Sequence, residues 1–184
     1  MEHAAAMQRD DAPAFEALLE AHRGIVLKVA AGYARDHHER ADLAQEIAAQ
    51  LWRAWPGYDP EQRFSTWMYR IALNVGISHL RGAGRRERVL TPLDEAAHEA
   101  ADPTGDNHET GQQVRMLLAL IGTFEPLDRA LLLLYLEERS TREMAEVLGI
   151  GESNVTTKLS RLKKRIRDHF NPTGPEHGHD NGTR

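Results

Sequence analysis

Apolar residues recur every three or four positions along nearly the whole of this 184-residue chain. That spacing is typical of amphipathic α-helices. Runs of alternating β-branched residues between turn residues, which would indicate strands, are nearly absent. The sequence therefore predicts an all-α protein. In the first half we expect one long helix from Phe15 to Tyr33, a second over 39–55, and a third from Ser65 to the glycines at 82 and 84.

The second half is predicted to form four helices, over 112–123, 126–137, 141–148 and 152–170. Between the halves, six acidic residues and no lysine or arginine lie from Asp94 to Glu109. Prolines, glycines and few large apolar residues accompany them, which is the composition of an exposed linker. We therefore expect an N-terminal domain over 1–89, a flexible acidic linker over 90–111, a C-terminal domain over 112–170 and a disordered tail over 171–184.

Several classes of protein are disfavoured by what the sequence lacks. There is no cysteine for disulfides or thiolate metal sites. We find no secretory signal and no apolar run long enough to cross a membrane, so we expect a cytoplasmic protein without membrane insertion. The histidines at 37–38 and 177–179 have no third ligand at useful spacing, so we expect no metal. No nucleotide-binding or catalytic motif predicts a cofactor, a small-molecule substrate or enzymatic activity.

The C-terminal half contains the signals of a helix-turn-helix. Ser140 and Glu143 form a capping box that begins a short helix, and Gly149 suits its end. A longer helix follows almost at once. This combination is typical of DNA-binding domains whose second helix enters the major groove.

The second of these helices has two distinct faces. Its apolar stripe consists of Val155, Leu159, Leu162, Ile166 and Phe170. The opposite face carries short polar side chains at its start and lysine or arginine later, which suits base edges and phosphates respectively. The residues concerned are Ser153, Asn154, Thr157, Ser160, Arg161 and Lys164. A merely solvated basic face, or a coiled-coil seam, is the alternative interpretation.

Two helices of the N-terminal half carry further candidate surfaces. The second helix has a face separate from its apolar stripe, formed by Asp42, Gln45, Glu46, Ala49 and Arg53. We expect this face either to bind a partner or only to be exposed to solvent. The third helix places aromatic residues beside basic ones, as single-stranded DNA binding uses, although aromatics at helical spacing are more often core. Trp67 in particular we expect to be buried.

Three ordered segments carry a resemblance to a known family. They are "DLAQEI", "FSTWMYRIALNVGISHLR" and "STREMAEVLGIGESNVTTKLSRLKKRIR". In this order, with an acidic linker between the last two, they resemble a bacterial RNA polymerase sigma factor of the extracytoplasmic function group. The resemblance covers residues 12 to 170. It implies two helical domains that bind core RNA polymerase and hold the −10 and −35 elements of promoter DNA.

The resemblance also implies roles for individual residues. The face with Asp42, Gln45, Glu46, Ala49 and Arg53 would dock on the polymerase β′ clamp. In the −10 region, Tyr58 and Asn74 would hold an extruded base, and the phosphates would be held by Arg70, Arg81, Arg85 and Arg86. The −35 element would be read by Ser153, Asn154, Thr157, Lys158 and Arg161, with Lys164 on the same face. Gly151 stands where the family often has serine.

Members of this group are often held inactive by an anti-sigma factor, which the resemblance adds as a partner. The linker acids would either mimic nucleic acid within the polymerase or serve only solubility. The main alternative is a helix-turn-helix regulator that acts without core polymerase. A helical interaction protein that binds no DNA is a third interpretation.

Overall fold

The computed structural model describes residues 12–90 and 108–170, and every regular element in this part of the chain is helical. The helices are α1 (Ala12–Ala21), α2 (Arg23–Tyr33), α3 (His37–Ala54), α4 (Phe64–Leu90), α5 (His108–Gly122), α6 (Pro126–Leu136), α7 (Thr141–Leu148) and α8 (Glu152–Phe170). A short 3-10 turn, Trp55–Gly57, follows α3. The predicted all-α class is confirmed. The expectations for most of the linker, for the tail and for the histidines at 177–179 lie outside the described residues.

The prediction of one long helix from Phe15 to Tyr33 was wrong, because the chain bends at His22. His22 has φ −116° and ψ 12°, outside the helical region. Its ring packs edge-on against Phe64 at 5.2 Å between centroids. Before this break, α1 places Phe15 against Trp55, at 5.4 Å between ring centroids. Aromatic packing between distant segments therefore decides where the first helix ends.

The prediction that glycines end the third helix was also wrong, since α4 continues to Leu90. A glycine inside a helix costs only about 1 kcal/mol relative to alanine, which neighbouring helical residues can offset. A Cβ added at Gly82 would meet nothing within 4 Å, so no close packing explains the glycine there. The helix is attached to α3 by His79, whose Nε2 lies 2.7 Å from a carboxylate oxygen of Glu39.

The N-terminal half is built on α2, α3 and α4, which pack around one another. Their fully buried side chains include Val29, Ile47 and Met68. Each such side chain contributes about 1.5–3 kcal/mol when it leaves water. Gly76 of α4 lies under the ring of Tyr33, where a Cβ would come within 2.8 Å of the ring. Only glycine allows this close approach.

The C-terminal half packs α6, α7 and α8 together, with Leu131, Leu134 and Leu162 buried between them. It also lies directly against the N-terminal half, since α2 and α4 contact α6 and α7. The buried side chains form one connected core across both halves. The two halves therefore share one core.

Candidate nucleic-acid and polymerase interface

The helix-turn-helix forms through local hydrogen bonds that the sequence predicts. The backbone N–H of Glu143 donates to Ser140 Oγ at 3.2 Å, and the backbone N–H of Ser140 donates to Glu143 Oε2 at 2.9 Å. The Ser140 hydroxyl also donates to Glu143 Oε2, at 2.9 Å, and the two bonds that Ser140 donates to this carboxylate hold the pKa of Glu143 below its ordinary value. Gly149 ends α7 in the left-handed conformation, at φ 65°. The capping box and the glycine turn are both confirmed.

The exposed face of α8 contains most of the residues predicted to read the −35 element. The residues that face solvent are Ser153, Asn154, Thr157, Arg161 and Lys164. The opposite stripe, with Val155 and Leu162, is buried against the rest of the domain. The face is therefore available to a partner along the whole of its predicted length.

Lys158 differs from the other predicted −35 residues. Its Nζ lies 3.4 Å from Asp128 Oδ1 of α6, and its side chain is partly buried. The helical spacing contains this signal, because residue 158 lies three and four positions from Val155 and Leu162 of the apolar stripe. The structure thus places Lys158 beside the buried stripe, away from the outward-facing residues.

The predicted clamp-binding face of α3 is exposed at all five positions, Asp42, Gln45, Glu46, Ala49 and Arg53. Glu46 already has partners within the helix. The Arg53 guanidinium lies 3.6 Å from its carboxylate, and the Gln50 amide donates a hydrogen bond to it at 2.9 Å. Beside this face lies Trp52, whose side chain is 49% exposed. Trp52 was not among the predicted site residues, although a large aromatic residue among exposed polar ones is a signal that could have indicated it.

The predicted −10 residues fall into two groups in space. Tyr58 stacks on Trp55 with ring centroids 5.3 Å apart and donates its hydroxyl hydrogen bond to the Gln62 carbonyl at 2.7 Å. Asn74 lies farther along α4, exposed, in a groove between α3 and α4 that Glu46 and Gln50 also line. Tyr58 is not among the residues that line this groove.

The basic residues of α4 follow one ridge. Arg70 and Arg81 are exposed like Asn74, and the spacing of four and seven residues places all three on one side of the helix. The side chains of Arg85 and Arg86 lie outside the described residues. Phe64 and Trp67 are buried, as Trp67 was predicted to be. They form core, and so they do not offer ring faces to a DNA strand.

Metal binding and membrane insertion find no support in the part of the chain that the structure describes. Within it, no three histidine or acidic side chains are grouped so that they could hold a metal ion. Among the described helices none combines the length and the apolarity needed to cross a membrane.

Comparison with known proteins identifies both halves of the chain. Residues 18–86 match the Sigma-70 region 2 family, and residues 115–166 match Sigma-70 region 4. The chain is 25% identical over 160 residues to the ECF RNA polymerase sigma factor SigE of Mycolicibacterium smegmatis, covering 86% of this chain and 62% of that protein. It is 27% identical to the RNA polymerase sigma-H factor of Pseudomonas aeruginosa, covering 90% of this chain and 91% of that protein.

A solved structure shares the fold. It is the sigma factor RpoE of Bartonella quintana in complex with the anti-sigma factor NepR, with a TM-score of 0.56 and 17% identity. The match covers 86% of this chain and 94% of that one. The two region matches and the relatives show that the chain belongs to the sigma-70 family, in its extracytoplasmic function group.

Proposed function

We propose that this chain is a sigma factor that binds core RNA polymerase and directs initiation at promoters with defined −10 and −35 elements. The observation that carries the proposal is the presence, in one sigma-family chain, of a fully exposed polar face on α3 and a helix-turn-helix with an exposed reading face on α8. The first surface suits a protein partner and the second suits the major groove.

The face of α3 is proposed to dock on the β′ clamp. Its five residues point away from the core, while Leu43, Ile47 and Leu51 of the same helix are buried. Because α3 is held by its apolar stripe and by the contact of Glu39 with His79, its polar face can be covered by a partner without any change of fold. Trp52 adds an exposed aromatic surface at the edge, and aromatic residues often dominate binding energy at interfaces.

Region 2 is proposed to hold the melted −10 strand along α4. Flipping a base out of a duplex costs a few kcal/mol, which contacts to the extruded base and its phosphates must offset. Asn74 offers an exposed amide for a base, and Arg70 and Arg81 lie on the same ridge for phosphates. Tyr58 stacks on Trp55 and is partly exposed, so its proposed part is to support the loop before α4 and to offer the exposed part of its ring to the extruded base.

Region 4 is proposed to read the −35 element with the start of α8. Ser153, Asn154 and Thr157 supply short polar groups for base edges, and Arg161 and Lys164 supply charge for phosphates. The Thr157 hydroxyl already donates to the Ser153 carbonyl at 2.9 Å. It therefore meets DNA as an acceptor and through its methyl group.

We propose further that the chain catalyses no reaction itself and acts in the cytoplasm, where the polymerase and the chromosome are. Control by an anti-sigma factor is supported by the fold shared with RpoE, which was solved in complex with NepR. A regulator that works without core polymerase remains the competing hypothesis, and it would leave the α3 face without a partner.

Transcription in vitro tests the proposal. Bacterial core polymerase is mixed with the protein and with fragmented bacterial genomic DNA, and transcript starts are mapped. We expect starts at a shared sequence motif that are absent without the protein, and we expect Arg161→Ala to weaken them. Starts that are the same with and without the protein, while the protein alone binds DNA specifically, would favour the competing hypothesis.

A further inference from the structure

The C-terminal half carries a groove on the apolar side of α8. The groove lies between α5, α6 and α8 and has a volume of about 310 Å³. Sites for small molecules in proteins measure about 300–1,000 Å³ and are lined mainly by apolar side chains. Apolar side chains from all three helices line this groove, among them Leu117, Leu120, Leu132, Leu159 and Ile166. The groove therefore has the volume and the lining of a small-molecule site.

Part of this apolar lining is exposed to water. Leu117 of α5 is 40% exposed, and Tyr135 and Leu136 of α6 are 43% and 48% exposed. Ile121 and Leu159, which also line the groove, are buried. Exposed apolar residues that lie together often mark a binding site, because a ligand that covers them removes apolar surface from water. The groove thus favours a ligand with a hydrocarbon part.

Two exposed cations of α8 also line the groove. Lys163 and Arg167 are four residues apart and so lie on one side of the helix. Lys163 Nζ lies 4.3 Å from the centroid of the Tyr135 ring. In the part of the chain that the structure describes, neither cation pairs with a carboxylate, and the residues that line the groove include no acid. An anionic group could therefore bind these cations without displacing another partner.

The walls and the cations together restrict what can occupy the groove. A nucleic acid would pair with the cations but leave the apolar walls uncovered. A neutral hydrocarbon would cover the walls and leave the cations unused. A partner α-helix is about 10–12 Å across with its side chains, so it could insert only a few of them into a groove of this volume. An unbranched chain that ends in one carboxylate suits both the walls and the cations.

We propose that this groove binds the anion of a free medium-chain fatty acid, with its acyl chain along the apolar walls and its carboxylate beside Lys163 and Arg167. A carboxyl group is ionised at neutral pH, so it accepts hydrogen bonds from both cations. The outward-facing residues proposed to read the −35 element lie on the other face of α8. The fatty-acid site is therefore additional to the proposed promoter contacts.

Calorimetric titration of the full chain with fatty-acid anions tests the site. We expect one decanoate to bind per chain, below the concentration at which decanoate forms micelles. The affinity should rise by up to about fourfold for each methylene added from hexanoate through octanoate to decanoate, since each methylene leaves water. Octanol should bind about tenfold or more weakly than octanoate, because it has no charge for the cations. Equal affinity for the three acids, or for octanol and octanoate, would contradict the proposal.

A matched pair of charge reversals on α8 tests the carboxylate contact. Lys163→Glu with Arg167→Glu should weaken octanoate binding about tenfold or more and leave octanol binding nearly unchanged. Arg161→Glu with Lys164→Glu makes the same change of charge on the outward face and should leave octanoate binding nearly unchanged. If the first variant loses helicity, Lys163→Gln with Arg167→Gln repeats the test. Equal losses on both faces would mean attraction to overall charge alone, and the site would be refuted.

A substitution in the wall tests where the acyl chain lies. Leu117→Glu places a carboxylate in the groove at an exposed position and should abolish decanoate binding. Leu27→Glu, at an exposed leucine of α2, is the control and should bind as the wild type does. In methyl NMR spectra, decanoate should shift the signals of Leu159 and Ile166 and not that of Ile47 in α3. Wild-type affinity in a folded Leu117→Glu, or shifts confined to the N-terminal half, would overturn the assignment.

Two further measurements test other occupants of the groove. In sedimentation we expect monomers for the wild type and for Leu117→Glu, with and without decanoate. A wild-type dimer that Leu117→Glu dissociates would assign the groove to a second copy of the chain and rule out the fatty acid. Vesicles of phosphatidylglycerol that bind the chain, when decanoate does not, would assign the cations to a membrane surface with the same consequence.

Discussion

Lys158 of α8 pairs with Asp128 of α6, with Nζ and Oδ1 3.4 Å apart. Arg165 approaches the other carboxylate oxygen of Asp128 at 4.0 Å, and its guanidinium lies over Phe124. The Asp128 side chain is only 17% exposed, so the carboxylate is largely enclosed. Both cations therefore connect α8 to α6, and we infer that Lys158 mainly positions α8.

Substitutions of Lys158 and Arg161 should differ in how strongly they weaken promoter binding. Arg161→Ala removes an exposed cation proposed to contact phosphates, so we expect it to weaken binding of the holoenzyme to a mapped promoter and to reduce the salt dependence of that binding by about one charge. Lys158→Met keeps the packing of the stem and should weaken binding less than threefold. Equilibrium binding to a labelled promoter duplex measures both, and equal losses would contradict the positional role of Lys158.

The capping box should carry measurable stability. Ser140→Ala removes the acceptor of the Glu143 backbone N–H, and loss of such a cap costs about 1 kcal/mol. Ser153→Ala, at an exposed serine early in α8, is the control and should change stability little. Urea unfolding followed by circular dichroism measures the difference, and coincident midpoints for Ser140→Ala and the wild type would be the adverse result.

The same site should make stability depend on pH. The pKa of Glu143 is lowered in the folded chain, chiefly by hydrogen bonds from Ser140. Its contribution is therefore present above the ordinary value of 4.5 and is lost as the pH falls through the lower folded value. The gap in unfolding free energy between the wild type and Glu143→Gln should shrink below pH 4.5. A gap that stays constant from pH 7 to pH 3 would contradict this assignment.

Gly151 offers a stabilising change. It precedes α8, and a Cβ there would meet only Ser153 Oγ, at 4.0 Å. Serine is a slightly better N-cap than glycine, and it lowers the conformational entropy of the unfolded chain. Gly151→Ser should therefore raise the unfolding free energy by about 0.5–1 kcal/mol. Thermal unfolding tests this, with Gly57→Ser as a control in open space outside the recognition helix. A lower melting temperature for Gly151→Ser would mean that the turn needs glycine.

The sequence predicted best those features that local chemistry decides. The capping box of Ser140, the turn at Gly149 and both bounds of α7 and α8 depend on residues close together in the chain, and all are as expected. The break at His22 depends on Phe15 reaching Trp55. No spacing within the first helix contains that information.

The candidate surfaces were likewise predicted where helical periodicity decides them and missed where distant residues meet. The exposed face of α3 follows from helical periodicity alone. The pairing of Lys158 with Asp128 and the fit of Gly32 on Leu133 join residues far apart in sequence, so a single chain without its fold could not reveal them. Tyr58 and Asn74 were predicted by resemblance, and their different surroundings became visible only in three dimensions.

Binding of the labelled protein to bacterial core RNA polymerase tests the central claim most directly. The variant Asp42→Lys with Glu46→Lys reverses two charges on the α3 face. Glu16→Lys with Glu20→Lys makes the same charge change on exposed positions of α1. We predict tight binding by the wild type and the control, and loss of binding by the α3 variant with its helicity intact. Equal affinity of all three proteins would contradict the proposed docking face, and no binding by a folded wild type would contradict the sigma-factor function.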